Sequence, residues 1–238
     1  MNALLVRVAA DSSQGGGGWN GPIDCQSKEF VYVPIPENKK ATVRPGLKKP
    51  FSALEPALAS FGVGLPSHLR ERHMHLDPDF THLTYGDSRQ RGKQIRQKLR
   101  VGDRIVFYAG LADVRGASRL VYAIIGMLVV EQFIPASEIP ERDWDMNAHS
   151  RVYLDPTDED IVVRGRHQVS GRLRHCLPFG EYRDRAYRVR RDLLDAWGGL
   201  SVKDGYVQRS ARLPQFLDPM RFLRWLERQQ PVLVQANN

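Results

Sequence analysis

Cysteine is nearly absent from this chain of 238 residues: Cys25 and Cys176 are the only two, and they form no C-x-x-C pair. No disulfide framework, cysteine zinc site or redox motif follows, and the pair reads as two reduced thiols of an intracellular protein. Long apolar runs are missing as well. The longest, Leu120 to Val130, is interrupted by Tyr122 and Gly126 and falls short of the roughly 20 residues that span a bilayer. The opening Met-Asn-Ala-Leu-Leu-Val-Arg-Val lacks the basic region, apolar stretch and cleavage site of a secretory signal. The expectation is a cytoplasmic protein with no membrane partner.

Lysine is scarce too. Of 35 basic residues only eight are lysines, so arginine supplies 27 and carries most of a net charge of +8. The planar guanidinium fork binds phosphate bidentately and stacks on bases. Clustered cations also gain affinity for phosphate by releasing counterions. Nucleic acid, DNA or RNA, is the partner this charge favours; an arginine-rich surface laced with exposed ion pairs is the alternative that stays open. Apolar residues at 42% and charged residues at 26% are ordinary globular usage, against general disorder or a fibrous chain. The length accommodates one domain, taken as residues 1–238. Oligomeric state is not legible.

Along the chain, Leu4 to Val8 alternates as a half-buried strand, and Asp11 to Pro22, with Gly15 to Gly18 in a row, is a loop. Phe30 to Ile35 is a second strand closed by Pro34 and Pro36. Ser52-Ala-Leu-Glu55 has the spacing of a capping box for a helix to about Phe61. His68 to Asp87 is polar, rich in histidine and read as a long loop. A helix from Ser88 to Arg100 has Ile95 and Leu99 inward. Asp103 to Gly110 and Leu120 to Phe133 are the densest strand patterns and are expected to pair antiparallel. Ile161 to Val163 is a further strand. Arg190 to Trp197 is helical, and Asp218-Pro219 supplies the cap and first residue of a last helix.

At residues 84–133 an ordered series appears: a basic helix, the Gly102-Asp103 turn, the aromatic strand Val106-Phe107-Tyr108 and a return strand with Gly126. This resembles the core of PUA-like domains of the EVE and ASCH type. The resemblance implies an α+β fold, a PUA-like mixed β-barrel with flanking helices and its core at about 84–165. A second likeness covers nearly the whole chain through Arg7, Asp11, Ser12, Gly18, Pro34, Pro36, His75, Asp77, Pro78, Tyr85, Gly86, Asp87, Gly102 and Asp103. On these residues the chain is similar to the third nucleotide modification-associated domain family, whose setting is nucleic-acid modification. The glycine loop departs from the common G-G-x-P-S-P-I, reading GGWNGPID here.

Several constellations could carry chemistry. PUA-like barrels hold a flipped base between aromatic rings and a polar edge reader. Trp19 and Tyr85, in segments without apolar neighbours, are the candidate walls, whereas Tyr108 and Trp197 read more readily as core, Tyr108 staying among the candidate ligand contacts. Asn20, Asp87, Asn147 and His149 are candidate edge readers. Arg7 and Asp11 bracket the first strand end, and Asp11-Ser12 followed by glycines either offers backbone N–H groups and a hydroxyl to an anion, with Arg7 and Ser12 as ligand contacts, or is a turn held by its own side chain; no Walker lysine or G-x-G-x-x-G follows. His73, His75, Asp77 and Asp79 alternate in one segment. H-x-D is not a dedicated metal spacing, so hydrogen-bonding histidines are preferred and no metal or cofactor is assigned. Arg89, Arg91, Lys93 and Arg96, with Arg172, Arg174 and Arg188 from the series 164–191, are the candidate phosphate contacts. The reading is a protein that binds nucleic acid or a modified nucleotide. Its alternative is an enzyme, a nuclease or a base-modifying or base-excising activity, with Asp11, His75 and Asp77 at its centre.

Overall fold

The computed structural model describes residues 1–116, 120–208 and 211–238. The chain begins with β1 (Ala3–Arg7), β2 (Pro22–Ile23) and β3 (Ile35–Pro36), then runs through α1 (Glu55–Ala59), β4 (Met74–His75), β5 (Thr84–Asp87) and α2 (Arg89–Lys98). The longest strands follow, β6 (Arg104–Asp113) and β7 (Leu120–Pro135). After α3 (Ala148–Arg151) come β8 (Ile161–Gly165), β9 (Gly171–Pro178), β10 (Gly180–Arg183), β11 (Ala186–Val189), α4 (Arg191–Ala196), α5 (Pro219–Arg228) and β12 (Leu233–Val234).

β1 is apolar on both faces because it runs parallel to β6 inside the molecule, Ala3 opposite Arg104 through Arg7 opposite Tyr108. β6 and β7 pair antiparallel, as their β-branched and aromatic content predicts. β7 is long enough to serve two further partners, β9 along Ala123–Met127 and β8 along Val130–Pro135. The order β1-β6-β7-β8-β5, with β2, β9 and β12 attached, makes one mixed sheet. Gly126 sits near the point where β7 passes from one partner to the next. A Cβ there would lie 2.5 Å from the Phe80 ring and 2.8 Å from the Gly171 carbonyl oxygen.

The fold is mixed α/β, but the barrel implied by the PUA-like resemblance is not closed among the described residues. Both terminal strands have their outer edges occupied. β1 donates from Leu5 to the Pro214 carbonyl and its Ala3 carbonyl accepts from Phe216, while Gly86 of β5 donates to the Asp77 carboxylate. With those groups satisfied, the two ends have no ladder to offer each other.

The strand period of two divides the core between the sheet faces. Leu4, Val6, Ile105 and Phe107 pack with Tyr32, Phe80, Tyr85 and Ile95 on one side. Leu5, Val106 and Tyr108 pack on the other with Trp197, Phe216, Phe222 and Trp225 from the α4 and α5 region. Asp218 caps α5 by accepting from the Arg221 amide at 2.9 Å. Trp197 and Tyr108 are core residues, as read.

Three local readings are corrected. Ser52 caps nothing: a 3-10 turn at Phe51–Leu54 begins on Pro50 and leads into α1 with no side-chain cap. The stretch 68–87 is not an extended loop, since β4 pairs with β3 and β5 pairs with β8. The second strand survives only as β3 and a bridge at Phe30, because Pro34 and Pro36 have no amide to give a ladder.

Candidate active site

A cavity of about 890 Å³ opens between the ends of β1, β4 and β5, the start of α2, α3 and the segment 152–160. His75, Asp77 and His149 meet on its wall, each offering one donor atom within 4.8 Å of the others. The strand pairings bring them there. Ile35 opposite His75 in the β3–β4 pair places Glu37 beside the His75 ring. The β5–β8 pair sets Asp87 opposite Ile161 and so carries Asp160 to the same place.

Each imidazole is anchored through Nδ1. His75 Nδ1 lies 3.1 Å and 3.2 Å from the Glu37 carboxylate oxygens, and His149 Nδ1 is bonded to Asp160. His149 Nε2 is 3.7 Å from Asp77 Oδ2, and the two rings stand nearly perpendicular with centroids 5.0 Å apart. The other Asp77 oxygen accepts from the Gly86 amide at 2.7 Å and from Asn147 Nδ2 at 2.9 Å. Asn147 also caps α3 by accepting from the His149 amide at 2.9 Å. Gly86 is required for this arrangement: a Cβ would fall 2.2 Å from His149 Cδ2 and 2.6 Å from Asn147 Oδ1.

Burial opposes charge on the His149 ring, yet the Asp160 and Asp77 carboxylates outweigh it and hold the imidazolium up to about 10. Burial would likewise raise Glu37, but the His75 hydrogen bond and charge bring it below the usual carboxylate range. Asp87 goes the other way, because burial raises its carboxyl further than Arg91 and the Tyr85 hydroxyl lower it.

Asp11 shares the cavity but stands apart from the histidines. It pairs with Arg7 at 3.3 Å and accepts from the Ser13 amide at 2.9 Å, closing the glycine turn. Ser12 is exposed and outside the lining. The base sandwich between Trp19 and Tyr85 is not formed. Trp19 packs on the cluster of Phe51, Leu54 and Leu58, whereas the Tyr85 ring is buried against Phe107 and only its hydroxyl end meets Asp87 and Arg91. Asn20 is buried, donating to the Gly110 carbonyl at 2.8 Å. Tyr108 lies in the lining but gives its hydroxyl hydrogen to the Val207 carbonyl. His82 and Asp79 also leave the cluster: they pair with each other at 3.1 Å, and Asp79 is bonded to the buried Arg151.

Of the candidate phosphate contacts, Arg89 and Arg91 reach the cavity, Arg91 Nε lying 3.0 Å from Asp87. Lys93 points to solvent, and Arg96 pairs with Glu159 at 3.4 Å. Arg172 and Arg174 line a separate depression with Phe30 and Asp24, and Arg188 bonds to the Lys203 carbonyl. The cavity lining holds eight carboxylates against five basic side chains, so on a protein of net charge +8 it is locally acidic.

The segments that build this wall, from Arg7 to Asp160, all fall inside one match: residues 2–228 correspond to nucleotide modification associated domain 3. The chain belongs to this family. No curated protein and no solved structure matches it. In this member of the nucleotide modification associated domain 3 family, Glu37 and Asp160 were not legible as site residues. Glu37 follows the Pro34-Ile35-Pro36 motif directly, and that adjacency was the available signal; Asp160 is hidden in the acidic run Asp158-Glu159-Asp160. No helix among the described residues is long and apolar enough to cross a membrane.

Proposed function

We propose that the chain takes a nucleotide unit of nucleic acid into the cavity and acts on it at the His75–Asp77–His149 centre. The observation that carries this is the convergence of two imidazoles and a carboxylate from two segments more than 70 residues apart on the wall of a cavity large enough for a nucleotide. The family supplies the association with nucleotide modification. Arg89 and Lys40, both exposed at the cavity, supply charge for the flanking phosphates.

Action is favoured over binding alone because the rings expected to sandwich a base do not do so, and the exposed ring of the lining, Tyr153, carries the Arg44 guanidinium 4.5 Å from its centroid. Tyr85 and Tyr108 are each 2% exposed, and Trp19 is elsewhere. What faces the cavity is acid–base chemistry: imidazoles whose orientation is fixed by carboxylates. Binding alone remains the second reading, supported by the net charge of +8.

The test is to incubate the protein with single- and double-stranded DNA and RNA, measuring affinity across a salt series and products by mass spectrometry. Expected is binding that weakens with salt, a product from one substrate class, and loss of product in Asp77→Asn with affinity largely kept. Arg89→Ala should weaken binding to every sequence and lower the salt slope by about 1. No binding at low salt overturns the reading. Binding with no product under any condition leaves the binder.

A further inference from the structure

The H-x-D spacing assigned no metal to this chain, but the folded geometry does. We propose that His75, Asp77 and His149 form a site for a divalent first-row transition-metal ion, open toward the cavity. The inference deepens the function proposed above, placing the ion where the nucleotide is held.

The ring nitrogens carry the first part of the argument. Glu37 and Asp160 occupy Nδ1 of the two histidines. Such carboxylate–imidazole contacts orient the ring and turn Nε2 outward as a ligand, the usual surroundings of metal-bound histidine, and the ion takes the place of the Nε2 proton of the His149 imidazolium. Asp77 is prepared in the same way. Its Oδ1 is saturated by Gly86 and Asn147, leaving Oδ2 on the side of His149 Nε2. Donors within 4.8 Å of one another need to close by less than about 1 Å each to reach bonds of roughly 2.0–2.2 Å.

Charge carries the second part. Arg7 and Arg91 are engaged by Asp11 and Asp87, while Glu37, Asp77 and Asp160 each pair with a ring, three carboxylates to two imidazoles. A doubly charged ion offsets that local excess. It would also give an otherwise acidic wall an attraction for phosphate or a base carbonyl. The donor set decides the class of ion. Two imidazoles and one carboxylate on one side, with the remaining positions open, suit iron, manganese, cobalt or zinc; magnesium and calcium prefer all-oxygen sites.

The experiment uses the full chain without a histidine tag, stripped with chelator and titrated with Co²⁺ while its visible d–d bands are followed. Expected is saturation at one equivalent, with affinity lower by more than about 10-fold in His75→Ala, His149→Ala and Asp77→Asn. The exposed control His175→Ala should be unchanged. Glu37→Gln should weaken binding by roughly 10- to 100-fold while keeping the band positions. Because a variant can fail to fold, the unmutated protein is also crystallised with Co²⁺, and its anomalous difference map must peak between the three side chains. No saturable uptake, a peak elsewhere, or unchanged affinity in a folded His75→Ala overturns the site. Nucleotide turnover without metal uptake overturns this inference alone. Metal uptake with no affinity for nucleic acid overturns the proposed function and leaves the metal site standing.

Discussion

Gly86 is the residue on which the wall of the cavity turns. Its backbone lies against the His149 ring while its amide holds Asp77, so one position orients two of the three converging side chains. Neither neighbour can retreat cheaply, since His149 is fastened by Asp160 and Asn147 by Thr84 and the cap of α3. Gly86→Ala is therefore expected to cost about 1–3 kcal/mol of overpacking, read by denaturant unfolding, and to displace the imidazole. The sequence singled out Gly86 by resemblance, and His75 and Asp77 by their alternation. It could not show what Gly86 touches, because His149 arrives from 63 residues away in a short helix whose only local sign is Asn147 before it. Glu37 and Asp160 were invisible for a related reason. A carboxylate's partner across a strand pair is a matter of register, and β3 and β8 had no recognisable register before folding.

Among the elements, those with strong local rules were legible and those held by tertiary contacts were not. β6 and β7 announced themselves by density of Val, Ile, Phe and Tyr, and α5 by Asp218-Pro219 ahead of an apolar stripe. Replacing Asp218 with Ala should cost about 1 kcal/mol, measured as a lower melting temperature with unchanged binding of ligand, since Asp218 is not part of the cavity lining. The Ser52 box failed because Pro50 and Pro56 set the local backbone before the serine could. β9 to β11 were read as a phosphate track for their arginines. They are strands in which Leu173, Cys176 and Val189 turn inward, while arginine stems lie along the surface, Arg172 over the Phe30 ring at 5.2 Å.

Over the whole molecule the positive charge and the cavity are partly separated. Arginines of the 164–191 series meet acids that lie beyond it: Arg183 and Arg188 with Asp204, and Arg190 with Asp192 at 3.3 Å. Surface pairs of this kind contribute little stability, but they remove cations from any phosphate track. The ion-paired surface that composition left open is thus realised in part. The polar residues Asn237 and Asn238 are structural. Asn237 accepts from the Phe80 amide at 2.8 Å and donates to Asp79 at 3.0 Å, and Asn238 bonds the Tyr32 backbone in both directions. Asn237→Ala is expected to leave Asp79 short of one donor and to cost about 1–3 kcal/mol, measured by urea unfolding.

That stitch joins Asn237 to a segment more than 150 positions earlier, the same segment that bears His75 and Asp77. It also sets an order of assembly. Residues 79 and 80, just past Asp77, leave the ribosome more than 150 residues before the Asn237 side chain that bonds them, so this stretch beside the site is closed late in synthesis.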